Sequence, residues 1–153
     1  MLADVLRFDD AHHLGEPATR PRSGSTAVSK FKGKYMIRRN PNGDVPVVHE
    51  TAFVDPTAIL CGKVIVEANV FIGPYAVIRA DEVDAAGEME PIVIGADSNI
   101  QDGVVIHCKA GGGVVIGRGT SIAHRSIVHG PCTVGDNVFI GFNSVLFNCA
   151  VGD

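Results

Sequence analysis

Residues 106–130 read IHCKAGGGVVIGRGTSIAHRSIVHG and hold three histidines, His107, His124 and His129. Within this stretch Ile116, Ile122 and Val128 follow one another at intervals of six. The interval extends in both directions. Upstream it takes in Val48, Val54, Leu60, Val66, Ile72 and Ile78, then Ile94, Ile100 and Ile106; downstream it takes in Val134, Ile140 and Leu146. Four residues after almost every one stands something small, among them Ala58, Ala76, Ser98, Val104, Ala110, Thr120, Ser126, Cys132 and Ala150. Only Glu82 breaks this rule, and it opens an insertion. A period of six suits neither an amphipathic helix nor a simple alternating strand. It is the hexapeptide signature of a β-solenoid, in which each hexapeptide makes one flat side and three sides close a triangular coil of about 18 residues. The aliphatic and the small residue point inward and stack coil on coil.

Two steps depart from the period. Ten extra residues fall within EVDAAGEMEP (82–91) and four within KAGGG (109–113). Loops at solenoid corners project outward and often carry function.

The rest of the chain fits this reading. A length of 153 residues with 46% apolar content suggests one domain with a real core, and 6% aromatics without Trp suit a narrow interior. A net charge of −4 offers no basic stripe, so nucleic acid is not an expected partner. No apolar run approaches the length of a membrane span. Residues 1–35, with PATRPRSGS and KFKGK, do not follow the repeat and read as a disordered tail or leader. Their composition contains no secretory h-region, Met36 is a plausible internal start, and His12 and His13 are assigned to the tail. PNGD (41–44) is a turn signal leading into the first coil, and the β-helix domain is expected over 36–153. The chain stops at Asp153 without a terminal helix or polar cap, so that end is expected to be covered by a partner or to mark a shortened chain. The four cysteines form no CxxC pair. Cys132 takes an inward position, Cys61, Cys108 and Cys149 are placed outward or at turns, and free thiols point to a reducing, cytoplasmic setting.

The repeat fixes what the histidines can reach. Ile78, Ile106 and Val128 begin the same side of three successive coils, so Arg79, His107 and His129 form a ladder up one edge. Neighbouring coils lie about 4.8 Å apart, close enough for His107 and His129 to share one metal ion. His124 lies two residues after Ile122, at the corner where the side of His129 begins. Extended chain puts it roughly 15 Å from His129, whereas two imidazoles on one ion allow only about 12 Å between Cα atoms. His124 is therefore expected to join the His107/His129 edge of a neighbouring chain. Asp102 holds the register of His124 one coil below, and Arg79 that of His107. Three columns around a threefold axis would bring the two edges together and set Arg79 against the neighbour's Asp102, a cyclic assembly with three equivalent sites.

The strings VIRAD (77–81), NIQDGVVIH (99–107), SIAHRSIVHG (121–130) and TVGDNVFIGFNSVLFN (133–148) resemble the γ-class carbonic anhydrases. The likeness spans about residues 36–153 and implies an all-β, left-handed parallel β-helix of about five triangular coils, without the family's C-terminal helix. It implies a homotrimer in which His107, His124 and His129 bind Zn2+, with Fe2+ or Co2+ as substitutes, and in which Arg79 and Asp102 pair between subunits. Gln101 matches a residue that hydrogen-bonds the metal-bound water or bicarbonate, and Asp81 another polar group of the active site. The implied activity is reversible hydration of CO2 to bicarbonate and a proton through metal-bound hydroxide. The acidic insertion matches the family's proton-exporting loop, with Glu82, Glu88 and Glu90 as candidates. Two other readings stand beside this one. One is a γ-type homologue serving as a scaffold or assembly subunit without hydratase activity; the other is a hexapeptide acyltransferase, which would rely on one histidine as general base.

Overall fold

The computed structural model describes residues 36–153, so the expected tail over 1–35 lies outside the described residues. Strands follow one another in threes. The first coil holds β1 (Met36–Arg38), β2 (Val47–Val48) and β3 (Phe53–Val54), and the second β4 (Ile59–Gly62), β5 (Val64–Val66) and β6 (Phe71–Ile72). The third holds β7 (Val77–Glu82), β8 (Ile92–Ile94) and β9 (Asn99–Ile100), and the fourth β10 (Val105–Lys109), β11 (Val114–Ile116) and β12 (Ser121–Ile122). In the fifth, β13 (Ile127–Val134) runs over two sides before β14 (Phe139–Ile140), and β15 (Val145–Val151) begins another coil. Every ladder is parallel. One side stacks β1-β4-β7-β10-β13, a second β2-β5-β8-β11-β13, and the third β3-β6-β9-β12-β14, with β15 on β13. No helix occurs among the described residues.

The expected inward positions form the core. Leu60, Ile72, Ile78, Ile94, Ile100, Ile106 and Ile122 are fully buried, and Val48, at the first coil, is only partly so. The small inward positions keep their polar atoms paired. Buried Ser98, Thr120 and Ser126 donate their hydroxyls to the carbonyls of Gly117, Gly135 and Gly141 at 2.8, 2.7 and 2.9 Å. A buried hydroxyl without such a partner would be costly.

Strict counting fails at the insertions. Ile92 and Val114, each two residues before the next aliphatic, fill the inward column that counting assigns to Glu82 and Ala110. Each insertion falls between the two inward positions of its hexapeptide, so the register resumes from the far side. Ala150 is a second correction: it is exposed, and Cys149 stacks on Cys132 in its place. A register shift between His129 and Cys132 removes one residue from the count.

The cysteines need a third correction. Cys108 is fully buried, because β10 continues its alternation past the corner and turns the residue two after Ile106 inward. Cys61 does lie in the outward register, opposite Arg79, yet it is buried beneath the first coil, with its thiol toward the Arg39 carbonyl. Cys149 is half-buried.

The acidic insertion is built rather than loose. The Asp84 carboxylate accepts the N–H groups of Ala86 and Glu88 at 2.9 and 2.8 Å, Lys63 donates to the Met89 carbonyl at 2.8 Å, and Met89 is buried in the core. Met89→Ala is expected to cost about 2–4 kcal/mol. Urea unfolding should show a lower midpoint, and limited proteolysis should cut faster within 82–91. An unchanged midpoint would mean that Met89 does not anchor the loop.

Candidate metal centre

The edge formed by β7, β10 and β13 carries Arg79, His107 and His129 in direct register, followed by Phe147 on β15. The rings of His107 and His129 have centroids 5.0 Å apart and stand edge to face. This is the ladder the six-residue count anticipated. His129 Nδ1 lies 2.8 Å from the Gly130 carbonyl, and a carbonyl can only accept, so Nδ1 carries a proton and, in the neutral ring, Nε2 is the nitrogen with the lone pair. Gly130 itself has no room for a side chain, since a Cβ there would overlap the Gly112 carbonyl oxygen. The KAGGG insertion thus presses on the backbone that orients His129.

His107 is partly buried. Its Nε2 lies 3.1 Å from Glu82, 3.5 Å from an Arg79 nitrogen and 4.0 Å from Asp81. Burial holds its imidazole below the usual range, aided by the Arg79 charge, which favours the neutral form that a metal requires. Arg79 bridges both carboxylates, at 3.1 Å to Asp81 and 3.4 Å to Glu82. Asp81 also accepts from the Cys61 thiol at 3.6 Å.

His124 stands on a different corner. There Tyr75, Gly103, Arg125 and Asn143 occupy equivalent places in four coils, all with φ between +55° and +68°. That left-handed step turns the chain and leaves Asp102, His124 and Phe142 projecting just before it. His124 stacks on Phe142 at 5.6 Å and turns Nδ1 toward Asp102, 3.2 Å from its backbone nitrogen and 3.8 Å from its carboxylate. The Asp102 N–H can only donate, so Nδ1 accepts it and the neutral ring carries its proton on Nε2. Holding a metal through Nε2 would require the ring to release that N–H and turn a protonated Nδ1 to the carboxylate. Tyr75, Asp102, His124, Arg125 and Phe142 line an open groove that includes neither His107 nor His129. Among the described residues of one chain, no three metal-donor side chains converge and no ion pair joins Arg79 to Asp102.

The remaining candidates separate by position. Gln101 donates to Ser121 at 3.2 Å, while its Oε1, like Asn99 Oδ1, is buried without a partner among the described residues. Glu90 accepts the Gly111 N–H and ties the two insertions together, and Glu88 is exposed. Of the three candidate glutamates, Glu82 is the one in contact with a histidine of the ladder. Sequence reading passed over two aromatic residues. Phe142 stacks on His124 at 5.6 Å, Phe147 meets His129 with tilted rings at 5.3 Å, and both are mostly exposed. Their register gave the signal, since Phe142 stands two residues after Ile140 as His124 does after Ile122.

Comparison with known proteins places this geometry. Residues 113–148 match the family described as bacterial transferase hexapeptide (six repeats). A hexapeptide transferase family protein from Anaplasma phagocytophilum superposes with a TM-score of 0.67 at 31% identity, over 77% of this chain and 64% of that one. The fold is a left-handed parallel β-helix, and over residues 113–148 the chain is similar to the hexapeptide-repeat family. Its relatives include the carbonic anhydrase of Methanosarcina thermophila, 39% identical over 74% of this chain and 51% of that protein. They also include the carboxysome assembly protein CcmM of a Nostoc species, 45% identical over 69% of this chain and 20% of that protein. The carnitine operon protein CaiE of Escherichia coli is 41% identical over 71% of this chain and 52% of its own length. The chain therefore spans about half the length of two of these relatives and a fifth of the third.

Proposed function

We propose that this chain forms a cyclic homotrimer that hydrates CO2 reversibly, with a zinc ion at each subunit interface. The observation that carries this is the division of the histidines. His107 and His129 meet edge to face on one edge, and His124 projects from another corner, where no third donor among the described residues of its own chain meets it. The donor set suits the ion: His129 is fixed in the tautomer with Nε2 available, and burial favours neutral His107. Fe2+ or Co2+ would suit the same imidazoles. A divalent ion held there supplies Lewis-acid activation of water for attack on CO2. The chain's own groups do the rest. Glu82, beside His107 and exposed on its outer side, receives the released proton and passes it to buffer. Arg79 neutralises Asp81 and Glu82 and pairs with the partner subunit's Asp102. Gln101 offers a buried acceptor oxygen to the hydroxyl of water or bicarbonate. Exposed Tyr75, Phe142 and Phe147 supply apolar surface for the subunit contact.

The relative named a carbonic anhydrase supports this reading. The test is sedimentation, metal analysis and stopped-flow CO2 hydration on one preparation. A trimer with about one metal per chain and measurable hydration is expected. A stable metal-loaded monomer would sink it. The similarity to a carboxysome assembly protein favours a second reading, an assembly subunit. A metal-loaded trimer without hydration would decide for that one. Turnover of an acyl-CoA by a metal-free trimer would instead favour the acyltransferase reading suggested by the transferase names.

A further inference from the structure

We infer that Cys132 and Cys149 form a redox-responsive dithiol site, oxidised by low-molecular-weight disulfides to an intrachain disulfide that staples β15 onto β13. Their sulfurs lie 3.7 Å apart, and the residues are direct partners in the parallel ladder between β13 and β15. Parallel neighbours have Cα atoms about 4.8 Å apart, inside the window of about 4.4–6.8 Å that a disulfide spans. A modest side-chain rotation then closes the bond.

The pairing is not a by-product of the repeat. A strict period would set Ala150 against Cys132, and the register shift after His129 brings Cys149 there instead. The same inward column is aliphatic in the three preceding coils, Val64, Ile92 and Val114, and changes to cysteine only in these two. Cys61 and Cys108 have no such neighbour, since their partners across the ladder are Arg79 and Ala80. The pair borders a surface groove lined by Glu90, Pro131, Cys132, Thr133, Asn148 and Cys149, so a small oxidant can approach.

The chemistry closes on itself. Burial pushes the Cys132 thiol up to about 12, so half-buried Cys149 is the first to react. Its thiolate attacks one sulfur of the incoming disulfide, the S–S bond breaks, and one small thiol leaves. Cys132 then loses its proton to solvent and attacks the Cys149 sulfur of the mixed disulfide, releasing the second small thiol. Two protein thiols are oxidised by two electrons, and one small disulfide is reduced to two thiols.

This inference is independent of the CO2 reading, and its test does not depend on activity. The full chain is incubated with oxidised glutathione and, in parallel, with a reductant. Peptide mapping should find one crosslink between the Cys132 and Cys149 peptides, and reactive thiols counted after unfolding should fall from four to two. The thermal midpoint of the oxidised chain should rise by about 5 °C or more, with reversal by reductant. Cys149→Ser, at the half-buried position, should show neither crosslink nor shift. Four remaining thiols, a crosslink to Cys61 or Cys108, or glutathione retained on Cys149 without closure would each overturn it. Mapping on the unmodified chain keeps the test valid if the variant fails to fold.

Discussion

Mixing His124→Ala chains with His107→Ala chains is expected to return about a quarter of the metal sites, while each variant alone has none. The first variant keeps the His107/His129 edge, and the second keeps the His124 corner. In a cyclic trimer each edge meets the next chain's corner. Every mixed trimer then contains one intact interface out of three, and about three quarters of randomly assembled trimers are mixed. Each variant alone should lose CO2 hydration by more than about 100-fold, the upper range for groups that merely support a ligand. The geometry makes the expectation sharp. The two rings of the ladder are 5.0 Å apart, and His124 lies in a groove that neither of them lines. Metal content and hydration are measured before and after confirmed subunit exchange. No recovery after exchange would mean that all three ligands come from one chain.

Much of this was legible because a solenoid turns spacing into position. Ile78, Ile106 and Val128 share one column, so the ladder of Arg79, His107 and His129 follows from counting. The same counting separated His124 from that ladder and paired it in height with Asp102. Counting fails wherever residues are inserted or dropped. It assigned Ala110 and Ala150 to the core, where Val114 and Cys149 stand, and it marked Glu82 as a break without showing that Ile92 fills that place. Nor could it see that β10 stays extended past the corner, which buries Cys108, or that the first coil covers Cys61. Side-chain partners inside the insertions depend on contacts between loops of different coils. Spacing therefore left Glu82, Glu88 and Glu90 equal, while the structure sets Glu82 on His107 and Glu90 on Gly111.

Replacing Arg79 separates a structural role from a catalytic one. The guanidinium spans Asp81 and Glu82 at 3.1 and 3.4 Å and lies 3.5 Å from His107 Nε2. Arg79→Ala leaves those two carboxylates without their cation. With Arg79 about 40% exposed in the single chain, that loss is worth about 1 kcal/mol or less. In the proposed trimer the larger loss would lie across the interface, where the partner subunit's Asp102 would be left with its charge unpaired. Removing one partner of a pair that assembly desolvates costs about 3–5 kcal/mol, or more than about 100-fold in association. The trimer should therefore dissociate at concentrations where the parent chain stays assembled, with metal and hydration falling as a consequence. Arg79→Lys should recover only part of this, since an ammonium keeps the charge but not the planar fork. The catalytic alternative has Arg79 orient bicarbonate, and it leaves assembly and metal untouched while turnover drops. Oligomeric state, metal content and CO2 hydration measured on the same Arg79→Ala preparation distinguish the two. An intact, fully metallated trimer with slow turnover would refute the structural assignment.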